Sequence, residues 1–326
     1  MNNVVRIGTR KSALAIAQTK LLTERCRAVA PDLQYEIVEM STAGDRILDR
    51  PLYEFAGKGM FVSAFEQALL EGEIDAAVHS GKDMPVETAA GLAIPAVLPR
   101  ANPRDVLVMP LGTELTERSV IGTGSLRRQY LARLHLGCQT KNIRGNVNTR
   151  LRKCREGEAD GLILAAAGLE RLALIPDSGA WRAGQRPLRE GVLAEGGFCF
   201  RELHEEDFRP AAAQGIIAVQ CRADSPYLPL LEKVNDRETM ACFLAERRFL
   251  EGTGAGCQQP VAAYSWCVKG TIRMQAAWWQ EERMRTSFGA ARIGQGEEMA
   301  ARLAAELTGR MTETVVQGKE YSDGLS

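Results

Sequence analysis

VVRIGTRKSALAIAQTKLL, residues 4 to 22, and IGTGSLRRQYLARL, residues 121 to 134, share one plan: IleGlyThr, then a serine, then a helix. In the first copy Val4 to Ile7 reads as a short buried strand. Ser12 precedes an apolar pattern of helical period that runs to the stop at Pro31. A second pair of fragments recurs in the same order. GluGlyGluIleAspAla at 71 to 76 enters an apolar strand, and GluGlyGluAlaAspGly at 156 to 161 enters LeuIleLeuAlaAlaAla. Two ordered echoes predict two related α/β domains facing each other across a cleft. Tyr35 to Met40 alternates as a strand, Phe61 to Leu70 is an amphipathic helix, and Ile74 to Val78 is another apolar strand. Strands alternating with helices predict largely parallel, doubly wound sheets.

The pattern changes at residue 238. GluThrMetAlaCysPheLeuAlaGluArgArgPheLeu reads as a helix, followed by a glycine-rich loop, strand-like runs near 260, 271 and 284, and a helix over 296 to 308. This is a small third domain of α+β type. Residues 178 to 209 are polar and lack clear periodicity, so they read as an extended connection or surface insertion. The tail after Arg310 reads as loosely held.

The 326 residues, 45% hydrophobic and 25% charged, exclude a disordered or fibrous chain. Lys plus Arg at 41 cancels Asp plus Glu at 41, so any anion site must be a local patch. The beginning of the sequence has no signal-peptide pattern, and no stretch has the roughly 20 apolar residues that span a bilayer. Eight scattered cysteines, none in a CxxC pair, suggest reduced thiols and a cytoplasmic protein. With only three histidines, a His-rich metal site or a Ser-His-Asp triad is poorly supplied, and no metal is expected.

One local patch stands out. Arg118, Arg127, Arg128, Arg133, Lys141, Arg144, Arg150, Arg152, Lys153 and Arg155 fall in a span with no Asp or Glu. Arginine forks suit carboxylate and phosphate oxygens, so a polyanion site is the leading reading; a solvated helix face is the alternative, above all for Arg152, Lys153 and Arg155. Arg127 and Arg128 sit beside a turn opening a helix, and Arg144 and Arg150 begin and end ArgGlyAsnValAsnThrArg. ThrArgLysSer at 9 to 12 forms a matching corner. HisSerGlyLysAspMetPro, 79 to 85, follows an apolar strand, where active sites of α/β sheets concentrate. Asp83 there is placed either to hold a cationic intermediate or to neutralise Lys82 and cap a turn. Cys257, in GlyAlaGlyCysGlnGlnPro, is either a reactive loop thiol or a small side chain in a tight turn.

These segments resemble the porphobilinogen deaminase (hydroxymethylbilane synthase) family through most of the chain. The carriers are IGTRKSALA, GDRILDRPL, GKGMFVSAFEQALLEGEIDAAVHSGKDMPVE, NPRDVLV, IGTGSLRRQ, IRGNVNTRL, GLILAAAGLERL, AQGIIAVQCR, ETMACFLAERRFL and GAGCQQPVAAY. The resemblance implies a periplasmic-binding-protein-like pair of doubly wound domains and a small α+β domain. The first would be discontinuous (1–100 and 213–234), the second would span 101–212 and the third 235–326. It implies stepwise deaminating condensation of four porphobilinogen molecules on a covalent dipyrromethane cofactor, with release of hydroxymethylbilane for tetrapyrrole and heme synthesis. Cys257 matches the cofactor anchor and Asp83 the catalytic carboxylate. Lys82, Ser80, Thr123, Ser125, Arg127, Arg128, Arg144 and Arg150 match cofactor-binding positions. Arg10, Ser12, Arg144, Arg171, Lys58 and Gln214 match substrate-binding positions. The family implies a monomer whose partner is the small-molecule substrate, with no nucleic acid and no membrane. Departures are Ala13 for the usual proline, Gly124 for a common serine, Ala255 for a second glycine, and ProAlaAlaAlaGlnGly at 210 to 215 for ProAlaValGlyGlnGly. Two rivals remain: an anion-binding sensor module, which would not need Asp83 and Cys257 together, and an RNA binder, disfavoured by the lack of aromatics among the arginines.

Overall fold

A computed structural model describes residues 3–41, 62–181, 187–254, 260–280 and 283–309. The first sheet contains β1 (Val4–Arg10), β2 (Gln34–Met40), β3 (Ala76–Ser80), β4 (Leu92–Val97) and, from much later in the chain, β11 (Ile217–Arg222), in the order β2-β1-β3-β11-β4. The second contains β5 (Asp105–Pro110), β6 (Val120–Gly122), β7 (Gln139–Lys141), β8 (Gly161–Ala165), β9 (Glu190–Val192) and β10 (Phe198–Glu202), in the order β7-β6-β8-β5-β10-β9. In both sheets the first three strands are parallel and the fourth runs against its neighbours. That fourth strand is where the chain crosses. Passing from β4 to β5 leaves the first sheet, and passing from β10 to β11 returns to it. The largely parallel sheets expected from the alternating pattern are therefore mixed, because each unit borrows a strand laid down by a crossing.

Helices α1 (Ala13–Val29) and α2 (Ser63–Leu70) belong with the first sheet, and α3 (Leu126–Leu136), α4 (Val147–Arg155) and α5 (Ala166–Arg171) with the second. The echoed motifs occupy equivalent places, for a physical reason. Gly72 and Gly157 follow α2 and α4 at φ +71° and +83°, a backbone that side chains disfavour. The next aspartate then ties down the neighbouring parallel strand. Asp75 accepts from the Arg6 amide and Asp160 from the Val120 amide, each at 2.8 Å. The amides of Asp75 and Asp160 reciprocate to the carbonyls of Arg6 and Val120 at 2.8 and 2.9 Å. The IleGly step sits one residue further on. A Cβ on Gly8 would stand 2.5 Å from Ile74 Cδ1, and one on Gly122 would stand 2.7 Å from Ile143 Cδ1.

The third unit packs α7 (Arg237–Thr253) and α8 (Gly296–Thr308) on one face of the antiparallel sheet β12 (Val261–Val268), β13 (Thr271–Gln280) and β14 (Arg283–Arg292). Phe249, Ile272, Met274, Met299 and Leu303 fill that core. Ala262, Ala277 and Trp279, on the other face, join Leu107, Ile163 and Phe208 of the second unit. A short helix, α6 (Leu228–Lys233), precedes it. Among the described residues no helix is long and apolar enough to cross a membrane.

Residues 178 to 209 are not a featureless connection. β9 and β10 lie there, and β10 pairs along its whole length with β5. Sequence periodicity missed them because they are held by charge as well as by apolar packing. Glu202 accepts from Asn102, Arg104 and Arg189, Glu205 accepts from Arg104 Nε at 2.6 Å, and Arg189 also reaches Glu170 at 2.7 Å. Residues 182–186 lie outside the described residues, as does the tail beyond 309.

Candidate active site

Parallel strands β1, β3, β6 and β8 end on one side of their sheets, where unpaired backbone groups and helix starts leave room for a ligand. Arg10 closes β1. Ser12 caps α1, accepting from the Ala15 amide at 3.2 Å, so the N-cap reading of that serine holds and its hydroxyl proton is left to donate elsewhere. Ser80 is the last residue of β3, held against buried Gln18 of α1 at 3.0 Å. Gly81–Asp83 then form one 3₁₀ turn that presents Lys82 and an exposed Asp83.

The second unit supplies the facing groups. Thr123, fully buried, follows β6, and its hydroxyl accepts from the Ser125 amide at 3.3 Å. Ser125 caps α3, which starts the pair Arg127 and Arg128. The turn containing Arg144 leads to α4 and Arg150. Arg171 ends α5 and reaches across to the first unit, donating to the Gly215 carbonyl at 2.6 Å.

Electrostatics join the two sides. Burial, reinforced by the charges of Arg128 and Arg150, pushes the Lys82 ammonium down to about 8, against the pull of Asp83 and Asp105. Lys82 keeps some exposed surface, yet its surroundings are dense enough to cost it charge. Arg150 is pushed down to about 10 by burial and by Arg128, opposed by Asp83. Burial takes Arg171 to about 10 as well. Among the described residues none of these three cations has an ion-paired carboxylate. The hydrogen bonds of Arg150 and Arg171 go to the Gly145 and Gly215 carbonyls. His79, directly before Ser80, is no acid–base partner at neutral pH. Burial lowers its pKa to about 4, and it pairs with Gln220 at 3.1 Å.

Arg127 and Arg128 differ from this set. Both converge on Asp105, at 2.7 and 2.8 Å. Gln214 also donates to Asp105 at 2.8 Å and accepts from Arg128 at 3.3 Å. Burial alone would raise the Asp105 pKa, but the two guanidiniums outweigh it and hold the carboxylate at about 2. Their positive charge is thus partly consumed within the protein, although Arg127 Nε remains buried without a partner. Sequence reasoning missed Asp105 and Gln18. The available signal for Asp105 was an acid opening an otherwise apolar strand, in a chain whose basic run carries no acid of its own.

The rest of the basic run is a solvated face. Arg152 pairs with Glu156, Lys153 with Glu158 and Arg155 with Glu195. Lys58 and Cys257 lie outside the described residues. A surface hollow of about 390 Å³ lined by Leu174, Ile175, Pro176, Val192 and Ala194 contains none of the site residues.

Half-buried cations that lack ion-paired carboxylates among the described residues, close to the exposed Asp83, fit a ligand that carries several carboxylates and develops positive charge as it reacts. Comparison with known proteins points the same way. The family model described as porphobilinogen deaminase, dipyromethane cofactor binding domain, matches residues 5–228, and that described as porphobilinogen deaminase, C-terminal domain, matches residues 240–311. Porphobilinogen deaminase of Brevibacillus brevis is 41% identical over 266 residues, covering 80% of this chain and 79% of that one. The Syntrophotalea carbinolica protein of the same name is 36% identical over 322 residues, 97% of this chain and 96% of that one. Among solved structures, the periplasmic aliphatic sulphonate binding protein SsuA from Escherichia coli overlaps with a TM-score of 0.41 at 12% identity, covering 100% of this chain and 97% of that one.

Proposed function

This chain belongs to the porphobilinogen deaminase family, and from that premise we propose that Asp83 is its catalytic carboxylate and that the cations around it bind the carboxylates of cofactor and substrate. The activity is that of hydroxymethylbilane synthase, a transferase that joins four porphobilinogen molecules with loss of ammonia at each step. A dipyrromethane cofactor, when bound, supplies the pyrrole carbon on which the chain grows.

The carrying observation is the trio Lys82, Arg150 and Arg171, half-buried in dense surroundings and without carboxylate partners among the described residues. Such groups are costly to hold charged in isolation, and acetate and propionate oxygens would relieve that cost through charge-assisted hydrogen bonds. Arg10 at the end of β1, Ser12 at the start of α1 and Arg144 in the turn before α4 lie at the same strand and helix ends, and the orphaned Arg127 Nε offers one more donor. Ser80, Thr123 and Ser125 place small hydroxyls and helix-start amides beside them. Among the described residues, Asp83 is the exposed acid beside Lys82 and Arg150 that would face the substrate methylene. As ammonia departs, that carbon becomes cationic, and a fixed carboxylate stabilises the charge only while it exists. Gln214 acts through Asp105 and Arg128 rather than on substrate.

We assign Cys257 as the thioether anchor, the first unit to residues 1–100 and 213–234, the second to 101–212 and the third to 235–326. The place of β11 in the first sheet supports the discontinuous assignment. We also propose a cytoplasmic monomer that uses no nucleic acid or membrane partner, supported by scattered thiols and zero net charge. Incubation with porphobilinogen, with measurement of ammonia and of the porphyrin formed after oxidation, tests the activity. Intact mass of the denatured protein tests the anchor: an excess of two porphobilinogen units less two ammonia should map to Cys257 and vanish in Cys257→Ala. A polypeptide mass alone, from a porphobilinogen-producing host and with no turnover, would overturn the reading.

A further inference from the structure

Outside the active site, two thiols of the third unit stand in contact. Cys242 Sγ, on the buried face of α7, lies 3.8 Å from Cys267 Sγ near the end of β12. They are unlike in their surroundings. Cys242 is 4% exposed and packs into the core of that unit, whereas Cys267 is half-exposed and its sulfur reaches the Glu238 carbonyl at 3.7 Å. Hydrogen bonding from Cys242 lowers the Cys267 pKa, against the opposing effects of burial, Glu238 and Asp236. The same hydrogen bond, together with burial and nearby Glu246, raises that of Cys242. Cys267 is therefore the more accessible sulfur and Cys242 its shielded neighbour. That division of labour suits an attacking and a resolving thiol.

We propose that Cys242 and Cys267 form a thiol–disulfide exchange site for low-molecular-weight disulfides, which reversibly clasps α7 to β12. The Cys267 thiolate attacks one sulfur of the small disulfide and expels one small thiolate, leaving a mixed disulfide. Cys242 then gives up its proton and attacks the Cys267 sulfur, expelling the second thiolate. Two cysteine thiols and one small disulfide become one protein disulfide and two small thiols, with both electrons and both protons passing to the small molecule. Bond formation would bring the sulfurs from 3.8 Å to about 2 Å. The resulting covalent ring runs from 242 to 267 and includes Cys257 in its sequence, so the clasp restrains both flanks of that segment.

The test uses the cofactor-loaded protein treated with oxidised glutathione, quenched by alkylation and mapped as peptides. The wild type should give a Cys242–Cys267 linked peptide lighter by two hydrogens and reversed by dithiothreitol. It should form about tenfold faster than Cys199, a half-buried thiol of the second unit, is capped. Cys242→Ser should instead accumulate a stable glutathione adduct on Cys267, and Cys267→Ser should give neither product. Both variants should keep turnover under reducing conditions. Absence of the linked peptide in wild type, or capping of Cys199 as fast as Cys267 reacts, would overturn the proposal without depending on how either variant folds.

Discussion

At the scale of single residues, burial separates groups that the sequence presents alike. Asp83 and Asp105 are both acids among arginines, but one is exposed and the other has no exposed surface. Asp83→Ala should abolish ammonia release while leaving the urea midpoint unchanged, because no hydrogen bond or ion pair of the described residues depends on it. A shifted midpoint would make Asp83 a structural residue. Asp105→Asn keeps the shape but leaves Arg127 and Arg128 without their counter-ion, and breaking such a buried pair costs about 3–5 kcal/mol. Equilibrium urea unfolding should register that loss. Asp105 also predicts acid sensitivity. Its folded pKa lies below the unfolded value, so its contribution of about 2 kcal/mol is complete above pH 4 and is lost as pH falls from 4 towards 2. In Asp105→Asn that part of the acid transition should disappear. Lys82 carries the opposite signature in binding: with its pKa near 8, affinity for a pyrrole polycarboxylate should fall as pH rises from 7 to 9. Titration calorimetry of Lys82→Met should show that slope flattened, and an unchanged slope would assign it to another group.

At the scale of elements, the repeat is a packing solution used twice. Each copy needs a left-handed glycine after a helix, an aspartate that receives the neighbouring strand's amide, and a strand glycine pressed against apolar side chains. Gly8→Ala and Gly122→Ala should each cost about 1–3 kcal/mol, since the added methyl meets Ile74 in one copy and Ile143 and Leu162 in the other. Paired urea curves would test the equivalence, and a loss confined to one unit would deny it. A related position shows a departure from the family pattern. Ala213, where glycine is usual, sits at φ +57° with its amide held by Glu246 at 2.5 Å. The surrounding contacts thus enforce a backbone that alanine does not favour.

At the scale of the whole molecule, Glu246 ties the third unit to the crossing between the other two. Its carboxylate, fully buried on α7, receives Arg100 at 2.6 Å, the Ala213 amide, and both the amide and hydroxyl of Ser265. Glu246→Ala should cost several kcal/mol, because Arg100 would remain buried beside the Tyr264 ring without its anion. Calorimetry should then show the third unit melting ahead of the other two. A single unshifted transition would place the coupling elsewhere. Arg171 bridges the first two units through the Gly215 carbonyl, and Leu14 approaches Gly168 beside it.

Much of this was legible in the chain. Strands, helices, caps and the repeat are local patterns of period and turn chemistry, so Ser12, Ser125, the IleGlyThr steps and the GluGlyGlu turns could be read without a structure. The candidate acid and the basic run were legible because they cluster within short segments. What the sequence could not determine was which charges would be spent inside the protein. Asp105 meets Arg127 and Arg128 from 22 and 23 residues away, and Glu246 meets Arg100 across 146. Such pairings have no sequence period. They are selected by which buried groups the crossing of the two sheets brings together, because a charge withdrawn from water must find its partner wherever the fold places it. The tertiary structure alone therefore separated Lys82, Arg150 and Arg171, which have no carboxylate partner among the described residues, from Arg127 and Arg128, whose charge Asp105 already partly answers.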